Sequence, residues 1–145
     1  MRKINSAIIA IVMAAFTFIS CDKETPVQEN DLPDEIRTFV TTHFPANKII
    51  QSVKDREGLE VTYDLILNGN ISLEFNGKKQ ITDIDGTTRL PDSVIPSKIL
   101  NYVSANYPDN FIIGWELDDR NQQVKLDNRM ELEFNMAGDF LRIDH

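Results

Sequence analysis

The chain of 145 residues has little of what catalytic and cofactor sites are usually built from. It contains one cysteine, Cys21, and two histidines, His43 and His145. The sequence also has no Cys-x-x-Cys, His-Glu-x-x-His or glycine-rich phosphate-binding pattern. Because neither histidine stands in a readable nucleophile–base spacing, we expect no enzyme and no obligatory cofactor. A single cysteine excludes an intrachain disulfide, so packing must stabilise the fold.

A long apolar run is missing as well. Residues 8–19 are apolar, but a membrane-spanning helix needs about 20 such residues. Arg2 and Lys3 precede the run, as in a signal peptide covering residues 1–20. Ser20-Cys21 follows and resembles a bacterial lipoprotein signal, in which the cysteine is lipidated; the alternative is an ordinary secretory signal with an incidental cysteine. We expect export, with a lipid anchor at Cys21 holding the protein in the cell envelope, facing the periplasm or the cell surface.

Basic residues are scarce, since 15 of them stand against 23 acidic residues. Removal of residues 1–20 takes away two basic residues, Arg2 and Lys3, and no acidic residue. The remaining chain has 13 basic and 23 acidic residues, so its formal charge changes from −8 to −10. Nucleic-acid binding depends on Lys and Arg that neutralise phosphates. We therefore expect no nucleic-acid partner.

The chain beyond residue 31 contains an internal sequence repeat. Residues 21–31 are polar and acidic and are predicted to form a flexible tether. Beyond them, a proline-started and proline-ended segment recurs with an offset of 63, and its apolar residues have helical spacing. The matched positions are Pro33, Ile36, Phe39, Val40, Phe44 and Pro45 against Pro96, Ile99, Tyr102, Val103, Tyr107 and Pro108.

Alternating apolar and polar residues follow each helical segment and predict strands with one covered face. Asn68-Gly69 and Asn76-Gly77 predict tight hairpins. Ile113, Trp115 and Leu117 are predicted to share one face of the first strand in the second copy. We predict an α+β fold of two tandem repeats, each a helix followed by a four-stranded antiparallel sheet. Repeat one covers residues 32–86, a connector covers residues 87–94, and repeat two covers residues 95–145.

The repeated motifs resemble a known family. Pro-x-x-Ile-x-x-aromatic-Val, aromatic-Pro, a Leu-Glu-Phe strand and a closing Ile-Asp-Gly are similar to the PepSY-like, beta-lactamase-inhibitor-like family of Bacteroidetes lipoproteins. The resemblance covers residues 32–145, although His145 stands where the second copy would have its final glycine. It implies two tandem α+β units whose sheets join or abut, with the helices on one face.

Two groups of residues are candidates for function. Closely spaced aspartates before a glycine, in Asp83-Ile84-Asp85-Gly86, are typical of calcium loops, and Asp118-Asp119 is a similar pair. The alternative is that these aspartates are simply solvated. The second group would contact a protein or peptide through aromatic anchors and the polar sheet face, unless the aromatics are core residues. Its members are Trp115, Phe111, Asp64, Glu74, Lys125 and Glu133.

These features favour a non-catalytic envelope lipoprotein, a binding or inhibitor-like module for an envelope protein or peptide. The alternative is a calcium-responsive periplasmic protein.

Lipidation at Cys21 predicts that radiolabelled palmitate enters the wild-type protein but not a Cys21→Ala variant, because the cysteine carries the acyl chains. Metabolic labelling followed by autoradiography checks this. Equal labelling of both proteins, or of neither, would remove the lipid anchor from the interpretation.

Overall fold

A computed structural model describes residues 24–144 of the chain. The predicted signal peptide, the lipidation site at Cys21 and the terminal His145 lie outside the described residues. Within residues 24–144 there are two α-helices, α1 (Asp34–His43) and α2 (Ser97–Asn106). The strands are β1 (Thr25–Pro26), β2 (Ile49–Glu57), β3 (Glu60–Leu67), β4 (Ile71–Phe75), β5 (Ile81–Asp85), β6 (Ile112–Leu117), β7 (Asn121–Leu126), β8 (Glu131–Asn135) and β9 (Phe140–Asp144).

Proline bounds both helices, as the sequence predicts. Pro33 and Pro96 occupy the position just before the first helical residue. At the other end, Phe44 and Tyr107 each precede a proline, which disfavours helical backbone for them. Their N–H groups still donate to the carbonyls of Val40 and Val103, at 2.8 Å in both cases. Each helix is therefore limited to ten residues and depends on packing for its stability.

The nine strands form one antiparallel sheet in which every strand pairs with its neighbours in sequence. One face of the sheet packs against both helices around a single apolar core. Corresponding aromatic pairs fix the two helices: the Phe39 ring meets Phe75 edge-on at 5.3 Å, and the Tyr102 ring meets Phe134 edge-on at 5.4 Å. The two repeats thus use matched positions to hold helix to sheet.

The α+β class and the two repeats are confirmed, whereas a separate four-stranded sheet for each repeat is wrong. The sheets join where β5 pairs with β6, with Asp83 opposite Glu116, Ile84 opposite Trp115 and Asp85 opposite Gly114. An isolated β5 would present unpaired backbone groups at its edge. Pairing with β6 satisfies these groups and buries Ile84 completely.

The flexible tether is a wrong prediction for its described part, residues 24–31. Thr25 and Pro26 pair with Lys54 and Val53 on β2. The hydroxyl of Ser52 then donates to the carbonyl of Val27 at 2.6 Å. The segment covers part of the outer edge of β2, and a two-residue strand is too short to show the alternation that reveals strands in a sequence.

Candidate functional site

The sheet face opposite the helices carries most of the charge of the strands. We call it the acidic face, because alternation along the strands places eleven carboxylates and two bases on it. Its charged members are Asp55, Glu57, Glu60, Asp64, Glu74, Asp83, Asp85, Glu116, Glu131, Glu133, Asp144, Lys125 and Arg142.

Four of these carboxylates form a row across four adjacent strands. Asp64 on β3 is directly opposite Glu74 on β4, Glu74 is opposite Asp83 on β5, and Asp83 is opposite Glu116 on β6. We call this set the carboxylate row. Like charges directly opposite each other across strands are destabilising. The row therefore costs folding free energy in the absence of a cation.

The pKa values of three row members are raised, which is the expected electrostatic consequence. Partial burial, followed by repulsion from Glu116, Glu74 and Asp85, raises the pKa of Asp83 to about 6, although Lys125 opposes the shift. Burial is the largest cause for Glu74 as well, with Asp64 and Glu116 adding to its raised pKa against a hydrogen bond from Thr82. Asp64 has a raised pKa through burial and the nearby charges of Asp55 and Glu24.

Beyond the row, the acidic face contains its own bases. Lys125 Nζ lies 3.4 Å from an oxygen of Asp85, and Arg142 Nε lies 2.6 Å from Oε2 of the buried Glu133. Two shallow depressions of 240 and 180 Å³ lie side by side here and share Glu116 and Gln123. Among the described residues, Lys125 is the only basic residue that lines the first depression, and Arg142 is the only basic residue that lines the second. The face therefore keeps a local excess of negative charge around Asp83 and Glu116.

Asp64, Glu74, Lys125 and Glu133 lie on this face, in agreement with the sequence-based assignment to the polar side. Trp115 does not: it is buried on the helix face at 7% exposure, and its indole N–H donates to Gln122 Oε1 at 3.2 Å. Its assignment as a binding anchor is wrong, because apolar contacts and this hydrogen bond already use both its ring and its donor.

Phe111 also lies away from the acidic face, in the loop before β6. Its N–H donates to an oxygen of Asp127 at 3.1 Å, and its carbonyl accepts from the Asp127 N–H at 3.0 Å. These contacts hold the loop against the turn between β7 and β8. They give Phe111 a structural position rather than a place beside the carboxylates.

The structure separates the four candidate calcium ligands into two places. Asp83 and Asp85 project from β5, whereas Asp118 and Asp119 belong to the turn between β6 and β7. In that turn the Asp119 N–H donates to Asp118 Oδ1 at 2.6 Å. Among residues 24–144, no three His, Cys, Asp or Glu side chains are grouped so that they could hold a metal ion.

Glu116 is the member of the carboxylate row that sequence reasoning missed. Its position next to Trp115 on a strand already indicates that it lies on the polar side. What the sequence does not reveal is the β5–β6 pairing that sets Glu116 opposite Asp83. A bulge in β6 adds to the difficulty, because it makes Ile112 rather than Ile113 the buried residue.

The architecture defines a class of tandem-repeat α+β proteins in which two helices cover one face of a hairpin-built sheet. No helix within residues 24–144 is long and apolar enough to cross a membrane. The chain belongs to the PepSY-like family, described as "Putative beta-lactamase-inhibitor-like, PepSY-like", whose model matches residues 16–82 and 61–142. The two overlapping matches agree with the two repeats. No match was found among curated protein sequences.

Solved structures from Bacteroides share the fold. A Bacteroides vulgatus protein, named a "putative periplasmic protein" from the DUF2874 family, is 34% identical, with a TM-score of 0.81 over 86% of this chain and 99% of its own. A Bacteroides thetaiotaomicron protein is 30% identical, with a TM-score of 0.80 over 84% of this chain and 97% of its own; it is named a "putative calcium-regulated periplasmic protein". A second Bacteroides vulgatus protein, named a "putative periplasmic protein of unknown function", is 27% identical, with a TM-score of 0.79 over 85% of this chain and 100% of its own.

Replacing Asp83 by Asn is predicted to stabilise the protein at pH 7.5 by about 1 kcal/mol, after allowance for solvent screening of this half-exposed group. Because folding raises the pKa of Asp83 to about 6 from 3.8, the folded state binds its proton more tightly than the unfolded state. Burial of the charged form, together with repulsion from Glu116, Glu74 and Asp85, therefore destabilises the folded state above pH 6, and this cost is relieved as the pH falls through 6 towards 3.8.

Urea unfolding at pH 7.5 and pH 5.0 measures this effect. The Asp83→Asn variant should lose part of the stabilisation that the wild type gains at the lower pH. Asp109→Asn, in an exposed turn, is the control and should behave like the wild type. A destabilised Asp83→Asn variant at pH 7.5 would show that the carboxylate is not under net repulsion.

Proposed function

We propose that the protein is a non-catalytic binding or inhibitor-like module whose acidic face binds a basic segment of an envelope protein or peptide. The observation that carries this proposal is the carboxylate row. Asp64, Glu74, Asp83 and Glu116 lie opposite one another on four strands, on the side of the sheet that the helices leave open.

Electrostatics supports a cationic ligand for this surface. Four carboxylates in register repel one another, and Lys125, whose charge opposes the raised pKa of Asp83, is paired with Asp85. Lys or Arg side chains of a ligand would turn this repulsion into attraction across the same row. Complementary charge also steers encounter and selects among partners, so the row would contribute specificity as well as affinity.

The shape of the surface supports a macromolecular ligand rather than a small molecule. The depressions at the β5–β9 end of the face are shallow and polar, whereas small-molecule sites are mostly concave and apolar. A broad sheet face suits contact with a protein surface or an extended peptide. The beta-lactamase-inhibitor-like description of the family is consistent with a role in contacting another protein.

We propose that the module acts without catalysis. His43, the only histidine in the part of the chain that the structure describes, has its Nδ1 2.9 Å from Ser93 Oγ. This pair lies in the helix layer, where the Phe39 ring packs 4.6 Å from the imidazole. The pair is therefore remote from the acidic face.

Export and lipid anchoring at Cys21 complete the proposal. The structurally similar Bacteroides proteins carry periplasmic names, which supports an envelope address for this chain. The described fold begins at Glu24, three residues after Cys21. An acylated Cys21 would hold the domain close to the membrane surface, since β1 ties residues 25–26 to the sheet.

Capture by a photocrosslinker at Ser72 tests the binding surface, because Ser72 is exposed on the acidic face beside Asp85. In living cells this position should crosslink to an envelope protein or peptide. Combined Asp83→Asn and Glu116→Gln substitutions should reduce the yield at least about tenfold, which corresponds to about 1.4 kcal/mol of binding free energy.

The matched control removes the same charge elsewhere, by Asp34→Asn and Glu35→Gln in the first turn of α1. This control should leave capture unchanged, and a crosslinker at the exposed Thr38 of α1 should capture nothing. Equal loss in both double variants would mean that net charge, and not the carboxylate row, controls binding. No capture from Ser72 would contradict the proposed function.

A second candidate is calcium response, favoured by the name of the Bacteroides thetaiotaomicron relative and by Asp83 and Asp85. These two aspartates point to the same side of β5, so a bound cation would also relieve their repulsion. The protein would supply two carboxylates, and Glu74 and Glu116, which lie opposite Asp83 on the neighbouring strands, add negative charge beside them.

If calcium binds there, it should raise the free energy of unfolding by about 2.7 kcal/mol at a concentration 100-fold above Kd. Thermal melting with calcium, magnesium or chelator measures this. The shift should disappear in Asp83→Asn/Asp85→Asn and persist in Asp118→Asn/Asp119→Asn. A melting curve that calcium does not change, or changes no more than magnesium does, would eliminate the calcium candidate.

A further inference from the structure

The internal repeat shows how one edge of this sheet accepts another strand. The last strand of repeat one, β5, pairs with β6 through only three residues, Asp83, Ile84 and Asp85. A bulge in the β4–β5 pairing precedes them. Three residue pairs after a bulge are therefore sufficient to continue the sheet in this fold.

The last strand of repeat two offers the same edge again. The second copy is four residues shorter around the turn after its first strand, so beyond that turn the offset between the copies is 59 rather than 63. Arg142, Ile143 and Asp144 of β9 therefore correspond to Asp83, Ile84 and Asp85 of β5. A bulge in the β8–β9 pairing precedes them as well. Within residues 24–144, however, no strand pairs with the outer edge of β9.

The apolar residues on the two edges differ in exposure, because in the described part of the chain only the edge of β5 is covered by another strand. Ile84 is 0% exposed because β6 places Trp115 opposite it, whereas Ile143, on the same face of the sheet, is 37% exposed. The neighbouring Leu141 is 48% exposed. Exposed apolar residues on an edge strand are a template for pairing with another chain.

The opposite edge of the sheet is protected. There β1 covers part of β2, and Pro26 lies opposite Val53. Proline has no N–H to donate, so an incoming strand finds one hydrogen bond fewer at this position. Head-to-tail growth, in which β9 of one copy pairs with β2 of the next, is therefore disfavoured.

We propose that the edge of β9 binds the same edge of a second copy of this chain, in an antiparallel pair centred on Ile143. A two-fold axis perpendicular to the sheet would set Ile143 opposite the partner's Ile143 on the helix face. Arg142 would then lie opposite the partner's Asp144, and Asp144 opposite the partner's Arg142, both on the acidic face. One symmetric contact joins two nine-stranded sheets.

Charge complementarity selects this register and this occupant. Centring the pair on Arg142 would place two arginines opposite each other, and centring it on Asp144 would do the same with two aspartates. Only the pair centred on Ile143 sets opposite charges and apolar side chains against each other. Arg142 and Asp144 also have contacts in their own chain, with Glu133 and Gln123, which hold them on the acidic face.

The dimer would place both acidic faces on the same side of one continuous sheet. A ligand with two basic segments could then contact both copies, which increases its effective affinity. The inference does not depend on the proposed function, because it rests on β9 alone. A monomeric protein could still bind through its carboxylate row, and a dimer could form without any ligand.

Cysteine crosslinking in cells that express the full chain tests the contact. Directly opposite residues in an antiparallel pair have Cβ atoms about 4.5–5.5 Å apart. Ile143→Cys should therefore give a crosslinked product of twice the chain mass with a short thiol-reactive reagent. The wild type gives the background without a cysteine at position 143, and Ile50→Cys, on β2 and 67% exposed, is the collision control. The yield at position 143 should exceed that at position 50 at least about tenfold.

A charge variant makes the test specific for the register. Adding Asp144→Lys to the Ile143→Cys variant sets a lysine opposite the partner's Arg142. This change should reduce the crosslinking yield at position 143 at least about tenfold. Within its own chain the new lysine lies opposite Glu131, an opposite-charge pair, so the fold should be retained. Thermal melting checks the fold of both variants, and Asp109→Lys controls for net charge.

Three results would overturn the inference. The first is an equal yield at positions 143 and 50, and the second is a crosslink at position 143 that Asp144→Lys does not reduce. The third is a crosslinked product whose mass includes a different protein, because the edge of β9 would then have a heterologous occupant.

Discussion

The burial of one side of the sheet under two helices is the constraint on which the other features of this protein depend. Side chains alternate along each strand, so the apolar residues that the helices need must all lie on one face. A one-residue change of register would turn Leu65, Leu73 and Val124 towards solvent. Each strand is therefore fixed by its core residues, and its charged residues have no alternative to the opposite face.

This constraint explains how a destabilising row of carboxylates persists. Asp64, Glu74 and Asp83 are opposite one another because Leu65, Leu73 and Ile84, one residue along each strand, are paired in the core. Burying a large aliphatic side chain contributes about 1.5–3 kcal/mol, more than a like-charge pair at a surface costs. Core packing therefore decides the register of the strands. The carboxylates of the row continue to repel one another on the open face, where an external cation can relieve the repulsion.

The sequence is sufficient to predict those features that depend on local residue patterns. Proline boundaries and helical spacing locate both helices, and period-two alternation assigns Asp64, Glu74, Lys125 and Glu133 to the polar side. What cannot be read locally is how distant segments meet. The β5–β6 junction, the short β1 and the bulge that buries Ile112 depend on tertiary pairing. For this reason the sequence alone does not single out Glu116, and it does not decide whether Trp115 lies on the surface or in the core.

Repetition also explains why the two ends of the sheet differ. A duplicated unit carries its joining edge twice, but within residues 24–144 only the edge of the first copy is paired with another strand. At that inner junction Asp83 faces Glu116, and the covalent connection through α2 holds the two strands together despite their like charges. In the part of the chain that the structure describes, no connection of this kind brings a strand to the outer edge of β9, so a strand of a second copy would have to be attracted by the edge itself. The residue that corresponds to Asp83 is Arg142, two positions from Asp144. That single reversal of charge makes the outer edge complementary to itself, which the inner edge, with aspartates at both positions, is not.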